Sequence, residues 1–330
     1  MGFVFEKIKK IVTAGVLALI ALTLFSYLYY NPPIHSVCLD GATDYIWEKN
    51  MIYNRATEGI GYGKTNNEGY MNLYDYQSGM NIDVLVMGSS HLEAQFIPLE
   101  KNAVSLLNSK SQRMKAYNIS ISGHSFKVCV NNLEAALSKY KPEYVVIETG
   151  NLVFSDEYMN SILDGNVEEK TSFSTGLIGF LQNNPFLRLL YTQIENIANT
   201  YVDIEIDESN KSVWELKINE ELTDKLLKHV KAIADQYGSK VIILYLPDVS
   251  IQKEGKMQIE TEAISDVFKN LCERNDIKFL DMTNRFLEEY SLHHVVPKGF
   301  INTSVGKGHL NEDGHRMVAD ELYRMIEGGE

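Results

Sequence analysis

The chain has 330 residues and a formal net charge of −13, from 31 basic and 44 acidic residues. Nucleic-acid binding draws on clustered Lys and Arg side chains that neutralise phosphates, so this acidic balance disfavours a nucleic-acid partner. A hydrophobic fraction of 45% and a charged fraction of 23% are typical of a globular protein with a sizeable core. The three cysteines form no CxxC pair, which disfavours both a disulfide scaffold and a cysteine-based zinc site.

The N-terminal residues 1–30 predict a membrane anchor. Lys7, Lys9 and Lys10 precede an uncharged run over residues 11–30, which as a helix would reach about 30 Å, the thickness of a bilayer's hydrocarbon core. The run is longer than the apolar region of a signal peptide and ends in tyrosines that suit the membrane interface. The lysines predict a cytoplasmic N-terminus and an extracytoplasmic domain. A buried core helix is the alternative interpretation.

Residues 31–80 are predicted to be a juxtamembrane segment of irregular structure. They contain the Gly-rich sequence ATEGIGYGKTNNEGYMN. A phosphate-binding loop needs G-x-x-x-x-G-K-[ST], so that backbone amides wrap the phosphates. Here the residue five before Gly63 is Glu58, whose charge would repel a phosphate. We therefore expect no nucleotide site in this segment.

From residue 81 to residue 330 the pattern is that of an α/β domain. Short apolar runs bounded by polar or turn residues predict five buried parallel strands, at Asp83–Met87, Tyr117–Ile121, Tyr144–Glu148, Val241–Leu246 and Ile277–Asp281. Apolar residues at helical spacing predict helices between and after them, over Val128–Lys139, Leu222–Tyr237 and Met317–Ile326. This alternation predicts a doubly wound parallel sheet, in which ligands bind at the carboxyl ends of the strands.

One segment interrupts the alternation of strands and helices. Residues 152–221 form an insertion between the third and fourth predicted strands, with many apolar residues over 177–202. We predict a helical subdomain that packs on the sheet domain. The alternative is an apolar surface for a membrane-protein partner or for the bilayer interface.

Residues suited to acyl transfer follow the predicted strands. Ser90 comes after the first strand, Gly123 after the second and Asn151 after the third, while His309 precedes the last helix. A serine hydroxyl becomes an effective nucleophile when an adjacent base takes its proton. Amide groups stabilise the oxyanion of the tetrahedral intermediate. Each residue alone also fits a helix cap, a turn or a surface position, but together and in this order they predict an acyl-transfer site.

The same residues resemble the sequence blocks of the SGNH (GDSL-like) hydrolase superfamily. MGSSH resembles its Gly-Asp-Ser turn with serine in place of aspartate, NISISGHS its second block, TGN its Gly-x-Asn block and GHLNEDGH its last block. The resemblance spans roughly residues 81–328 and leaves the insertion unexplained. It implies a flavodoxin-like SGNH fold, with Ser90 as nucleophile and His309 as base. The implied oxyanion hole consists of Gly123, Asn151 and the Ser90 backbone N–H.

The sequence departs from the family at the triad acid. Family members carry an aspartate three residues before the histidine, which orients the imidazole, but Gly306 occupies that position here. A backbone carbonyl could orient His309 instead, or a carboxylate from elsewhere, with Asp281 and Asp313 as candidates. The missing acid is equally compatible with weak activity, and the identity of the acid stays open at this point.

The remaining histidines suggest no metal site. His91 follows the predicted nucleophile and is a candidate for substrate contact, although packing of the turn is an equal alternative. His293 and His294 are adjacent, His309 and His315 lie six residues apart, and the HExxH pattern is absent. We therefore expect neither a metal nor a cofactor.

The resemblance also implies a function. Membrane-anchored, external SGNH-like proteins commonly modify acyl groups on cell-envelope polysaccharides, and the run Gly299–Asn311 resembles members that are paired with membrane-bound O-acyltransferases. This implies an O-acetylesterase or O-acetyltransferase that acts on an acylated polysaccharide through a Ser90 acyl-enzyme. One alternative is a non-catalytic accessory protein of a membrane-bound O-acyltransferase. Another is a lipid esterase or thioesterase.

Overall fold

The computed structural model describes residues 2–36, 46–111, 113–165, 184–190, 217–252, 254–259 and 262–328. Helix α1 (Gly2–Tyr29) is long and apolar enough to cross a membrane over Phe3–Tyr29. Its apolar side chains are exposed along almost the whole length of the helix. The alternative of a buried core helix is therefore wrong.

Short antiparallel strands follow this helix. Strand β1 (Tyr30–Asn31) continues directly from α1, and β2 (His35–Ser36) pairs with β3 (Ile46–Trp47). Strand β4 (Ile52–Arg55) pairs with β1 on one side and with β5 (Gly61–Lys64) on the other. The segment that we predicted to be irregular thus contains a three-stranded sheet, and that prediction is wrong for these strands.

Alternating glycines explain how the β4–β5 hairpin packs. Side chains of a strand alternate between its two faces, so Gly61 and Gly63 leave one face of β5 without side chains. A Cβ atom at Gly61 would lie 1.9 Å from the carbonyl oxygen of Gln95, and one at Gly59 would lie 2.3 Å from that of Phe96. The hairpin therefore rests with its backbone directly against the chain that follows the first strand of the central sheet.

Five parallel strands form the central sheet. They are β6 (Val84–Met87), β7 (Ala116–Asn118), β8 (Tyr144–Thr149), β9 (Lys240–Tyr245) and β12 (Lys278–Asp281), in the order β12-β9-β8-β6-β7. A small hairpin, β10 (Ser250–Ile251) with β11 (Met257–Gln258), follows β9. The sheet confirms the predicted doubly wound α/β class. The strands β6 and β8 are buried on both faces, which explains why their sequences are apolar without alternation.

Helices cover both faces of the sheet. They are α2 (Ser90–Glu93), α3 (Ala103–Lys110), α4 (Phe126–Asn131), α5 (Leu133–Tyr140), α6 (Asp156–Leu163), α7 (Glu220–Gln236), α8 (Glu262–Arg274), α9 (Thr283–His293) and α10 (Glu312–Glu327). Leu85 of β6 packs in one apolar cluster with residues from α4 to α8. Its neighbours Val84 and Val86 pack in a second cluster with α3, α9 and α10. Successive side chains of β6 thus point to opposite faces of the sheet and pack in two separate apolar cores.

The predicted helices differ from the observed ones in detail. The single helix predicted over 128–139 is divided into α4 and α5 at Asn132. The helices α3, α8 and α9 are additional to the predicted ones. In the insertion, α6 and a short helix at 185–190 are described. Most of the apolar stretch 177–202 lies outside the described residues, so both interpretations of it stay predictions.

Candidate active site

Ser90 is the first residue of α2 and directly follows the turn that ends β6. The Ser89 side chain caps this helix by accepting a hydrogen bond from the His91 backbone N–H, at 3.3 Å. Ser89 also donates its backbone N–H and its hydroxyl to the carboxyl group of Glu148 in β8, at 2.6 and 2.7 Å. A Cβ atom at Gly88 would lie 2.3 Å from a Glu148 oxygen. Glu148 and Gly88 together fix the turn that presents Ser90.

His309 meets Ser90 at the carboxyl end of the sheet. Its Nε2 atom lies 2.9 Å from the Ser90 Oγ atom. The imidazole rests against the Phe96 ring, with centroids 4.3 Å apart. This distance and arrangement are those of a serine nucleophile and its general base.

Glu58 lies on the other side of the His309 imidazole. Its two carboxylate oxygens are 2.9 and 3.0 Å from Nδ1 of His309, and one of them also accepts the His309 backbone N–H at 3.1 Å. When the Nδ1–H group donates a hydrogen bond to Glu58, the ring proton stays on Nδ1. The Nε2 atom can then accept the proton of Ser90. Partial burial acts to raise the pKa of Glu58, but hydrogen bonds from His309 and the charge of Arg55 outweigh it and lower this pKa below its usual value.

Glu58 contacts Nδ1 of His309, where Asp281, Asp313 or a backbone carbonyl was predicted. Gly306, at the position of the family's aspartate, has a left-handed φ of 78°. The Asp281 side chain accepts a backbone N–H at the start of α9, and Asp313 forms an ion pair within the first turns of α10. The candidates Asp281 and Asp313 are therefore wrong, as is a backbone carbonyl, because Glu58 occupies the Nδ1 side of His309.

Two contacts fix the Glu58 loop to the loop that precedes His309. The side-chain amide of Asn302 donates to the Thr57 carbonyl oxygen at 2.6 Å. Gly308 has a φ of 97°, and a Cβ atom there would lie 2.6 Å from a Glu58 oxygen. Close approach of the carboxylate to the His309 backbone thus depends on this glycine.

Two residues predicted for the oxyanion hole, Gly123 and Asn151, follow the strands on either side of β6. Gly123 follows β7 and Asn151 follows β8, and both strands pair with β6. The Ile121 backbone N–H donates to the Gly88 carbonyl oxygen at 3.1 Å, which extends the pairing to the nucleophile turn. Gly123 has a φ of 87°, a conformation that glycine adopts at little cost. The strands thus bring all three predicted residues to one edge.

Glu93 at the end of α2 fixes the loop before Gly123. Its carboxyl group accepts the Ser122 backbone N–H at 2.9 Å, and also the Ser122 hydroxyl and the Trp47 indole N–H. Burial raises the pKa of Glu93, and the hydrogen bonds from Ser122 oppose this. Buried carboxyl groups of this kind are retained where their partners hold a defined geometry. Here the geometry is that of Gly123 relative to Ser90.

A cleft of about 400 Å³ opens at the carboxyl end of the sheet, where Ser89 and His91, the two neighbours of Ser90, line it. It is lined by Ser89, His91, His124, Ser125, Phe126, Glu148, Thr149, Gly150, Asn151, Val153, Phe154, Ser155 and Tyr158. Phe154 stacks between Phe126 and Tyr158, with ring centroids 5.3 and 5.4 Å apart. One wall is therefore aromatic and the rest carries polar groups, as is common in sites for small ligands.

His91 contributes a neutral N–H group to the cleft. Its Nδ1 atom accepts the Leu310 backbone N–H at 3.3 Å, which leaves the ring proton on Nε2. Burial, together with the positive charge of Lys298, lowers the pKa of His91 to about 3. His91 thus packs the turn and also lines the cleft, and its contact with a substrate stays a prediction.

His293, His294 and His315 do not line this cleft. His315 is buried, and its Nδ1 atom accepts the Ala103 backbone N–H at 3.2 Å. His293 and His294 lie at the end of α9. Within the described residues, no group of three His, Cys, Asp or Glu side chains is arranged to hold a metal ion.

Three carboxyl groups near Ser90 were missed in the sequence. Glu58 lies beside the GIGYG run, whose alternating glycines indicate a strand pressed against another backbone. Glu148 is a charged residue at the end of an apolar strand, a position that indicates a role at the carboxyl edge of the sheet. Nothing in the sequence distinguishes Glu93 from an ordinary helix residue.

No protein-family model matches the chain, and no curated protein sequence matches it. Solved structures of similar fold include a psychrotrophic esterase, EstA from Pseudoalteromonas, at 14% identity and a TM-score of 0.41, over 75% of this chain and 98% of that one. They include a mutant of Axe2, an acetyl-xylooligosaccharide esterase from Geobacillus, at 13% identity and a TM-score of 0.41, over 76% and 96% of the two chains. A member of the lipolytic G-D-S-L family from Veillonella parvula has 14% identity and a TM-score of 0.40, over 74% and 98%. Two of these distant structural neighbours are thus described as esterases and the third as a lipolytic protein of the G-D-S-L family.

Proposed function

We propose that the chain is a membrane-anchored serine O-acyl esterase or O-acyltransferase, with acetyl as the expected acyl group. The observation that carries this proposal is the Ser90–His309 pair, with Oγ and Nε2 2.9 Å apart and Glu58 behind the imidazole. A serine, a histidine and a carboxylate in this order activate the serine hydroxyl for attack on a carbonyl carbon.

The proposed reaction has two steps. Ser90 Oγ attacks the ester carbonyl while Nε2 of His309 takes its proton, and His309 then gives this proton to the departing alcohol oxygen. The resulting acyl-enzyme is attacked by water or by a sugar hydroxyl, whose proton His309 takes in turn. The Ser90 and Gly123 backbone N–H groups and the Asn151 side-chain amide would donate to the oxyanion.

We place the catalytic domain outside the cytoplasm. The support is the apolar helix α1, with Lys7, Lys9 and Lys10 on its N-terminal side. In this topology residues 11–30 cross the bilayer. An acylated cell-envelope polysaccharide is the proposed substrate and a membrane-bound O-acyltransferase the proposed partner, as the resemblance of Gly299–Asn311 implies.

The position of Glu58 weighs against the non-catalytic alternative. That alternative was favoured by the absence of an aspartate at position 306. With the Glu58 oxygens at 2.9 and 3.0 Å from Nδ1, His309 has a carboxylate partner after all. A site that only held polymer would not require this contact.

Labelling of the full-length protein in detergent with a serine-reactive fluorophosphonate tests the proposal. We expect one adduct by intact mass, absent in Ser90→Ala and formed far more slowly in His309→Ala. Ser125→Ala is the matched control, because Ser125 lines the same cleft and is exposed. Folded protein that takes no label, or that keeps its label in Ser90→Ala, would contradict the proposed function.

A further inference from the structure

The active-site loop that carries Glu58 lies beside the end of the membrane helix. Strand β1 leads away from α1, and β4 runs antiparallel to it, back toward the helix end. The Ala56 backbone N–H donates to the carbonyl oxygen of Tyr29, the last residue of α1, at 3.1 Å. Glu58 follows two residues later, at most about 7 Å farther along the chain. Because Glu58 contacts His309, the whole triad lies close to the point where the anchor ends.

The domain rests directly on the anchor without a linker. Ser26, in the last turn of α1, is fully buried against the rest of the protein. Arg188 of the insertion donates to the Pro32 carbonyl oxygen at 2.8 Å and to the Asn31 side chain at 2.5 Å. The Asn54 side-chain amide also donates to the Tyr27 carbonyl oxygen within α1. Together with the Ala56–Tyr29 hydrogen bond, this contact holds β4 against the end of the helix, so a bilayer that contains α1 lies beside this part of the domain.

Exposed apolar side chains lie on the two loops that carry Glu58 and precede His309. Ile60 of the Glu58 loop is 74% exposed, Val305 is 65% exposed and Ile301 is fully exposed. We call these three residues the apolar rim. The Asn302–Thr57 hydrogen bond joins the two loops that carry them. Exposed apolar residues that cluster around a site mark an interaction surface.

We infer that the apolar rim docks on the bilayer surface, and that the site takes its acyl ester from a lipid-linked saccharide held there. The bilayer is the occupant that the anchor itself brings to this face, and aliphatic side chains on loop tips enter the boundary between headgroups and acyl chains. The inference rests on the proposed function, because it requires both the anchor and the esterase activity. It adds the substrate class: an ester whose lipid tail stays in the membrane while its carbonyl reaches Ser90.

A pair of substrates with identical ester chemistry tests the substrate class. One is an acetylated methyl glycoside in solution, and the other is the same acetylated sugar on a dialkyl lipid in nanodiscs that also hold the full-length protein. We compare the wild type with Ile60→Ser/Ile301→Ser/Val305→Ser. The triple variant should lose at least about tenfold in acetate release from the lipid-linked ester and stay within about twofold on the soluble one. Ile52→Ser is the control, because Ile52 is equally exposed but lies at the other end of β4.

A catalysis-independent measurement tests the docking. An environment-sensitive fluorophore is attached at Ile301→Cys, or at Ile52→Cys as control, with Cys38 replaced by serine. Cys129 and Cys272 are buried and should not react. Spin-labelled lipids in vesicles should quench the probe at 301 and leave the probe at 52 nearly unquenched.

The outcomes separate the inference from the proposed function. An unquenched probe at 301, or an equal effect of the triple variant on both esters, overturns the docking inference. Wild-type protein that neither hydrolyses either ester nor transfers its acetyl group to an added sugar acceptor contradicts the proposed function, while the quenching result still decides the docking. Protein that does not float with vesicles contradicts the anchor itself.

Discussion

The carboxylate of Glu58 lies 2.9 Å from Nδ1 of His309, although 251 residues separate the two along the chain. His309 comes from the loop before the last helix, where the family resemblance places the base. Glu58 comes from a hairpin next to the apolar helix α1, outside the region of that resemblance. The site is therefore completed by a residue of the segment 31–80, which was predicted to be irregular.

Replacing Glu58 should reduce activity severely. Glu58→Gln removes the negative charge that stabilises the protonated imidazole, and its amide can orient His309 in the wrong tautomer. In serine hydrolases a comparable change lowers kcat by about 10⁴-fold, and we expect a loss of at least about 10²-fold in kcat/KM. Hydrolysis of p-nitrophenyl acetate by the full-length protein measures this.

Two further variants make the Glu58 result specific. Glu58→Asp keeps the charge and should recover part of the activity. Glu100→Gln changes an exposed carboxylate near the same hairpin and should leave kcat/KM within about twofold, as surface substitutions do. A Glu58→Gln enzyme within tenfold of the wild type would show that His309 needs no carboxylate partner.

The sequence predicted those parts of the site that depend on local pattern. Ser90, Gly123 and Asn151 follow strands that are buried on both faces, and such strands are recognisable as continuous apolar runs. The order of the strands then brings these residues to one edge. His309 was identified through the resemblance of GHLNEDGH to the last block of the SGNH family.

The contacts of Glu58 and Glu93 could not be predicted in the same way. They depend on how distant segments pack, and periodicity carries no information about that. Helix α8 was not predicted although its sequence carries the signal, since Ile264, Val267, Phe268 and Leu271 recur at helical spacing. The alternating glycines of β5 indicate a strand that lies against another backbone, although this segment was predicted to be irregular.

Gly61→Ala tests whether backbone contact of the hairpin positions Glu58. The new Cβ atom would lie 1.9 Å from the Gln95 carbonyl oxygen, and backbone atoms on both sides resist displacement. We expect the free energy of unfolding to fall by about 1–3 kcal/mol and kcat to fall with it, because the Glu58 loop must shift. Thermal melting and ester hydrolysis check the two effects.

Gly15→Ala is the matched control for this variant, since a Cβ atom there would meet nothing within 4 Å. It should leave both melting and hydrolysis unchanged. Full activity in a Gly61→Ala protein would mean that the hairpin adjusts without moving Glu58.

Ser122→Ala probes the support of the oxyanion glycine. The change removes the hydroxyl bond to Glu93 but keeps the backbone bond at 2.9 Å. Because the oxyanion forms only as the reaction proceeds, kcat should fall by up to about tenfold while KM stays nearly constant. Ser120→Ala, two residues earlier, removes a buried hydroxyl that has no hydrogen-bond partner in the described structure, and it should have little effect. A change in KM alone would instead indicate that Ser122 binds substrate.

His91→Gln distinguishes a cleft donor from a titrating base. Burial and the charge of Lys298 hold the pKa of His91 at about 3, so this ring stays neutral throughout the neutral range. The substitution should therefore change KM or kcat without changing the shape of the pH–rate profile between about pH 5 and 9. The exposed His294 provides a control as His294→Gln. If one limb of the pH–rate profile disappeared in His91→Gln, the group that titrates would be His91 and not His309.

At acidic pH the melting temperature of the protein should depend on the protonation of the Glu58 carboxylate. The pKa of Glu58 in the folded protein lies below 4.5, its usual value, since the hydrogen bonds from His309 outweigh partial burial. A carboxyl group with a lowered pKa contributes stability that is complete above the unfolded-state pKa and is lost as the pH falls through the folded-state value. The difference in melting temperature between the wild type and Glu58→Gln should thus be constant above about pH 5 and narrow below it. A difference that stayed constant down to about pH 3 would show that the contact with His309 does not favour the charged form of Glu58.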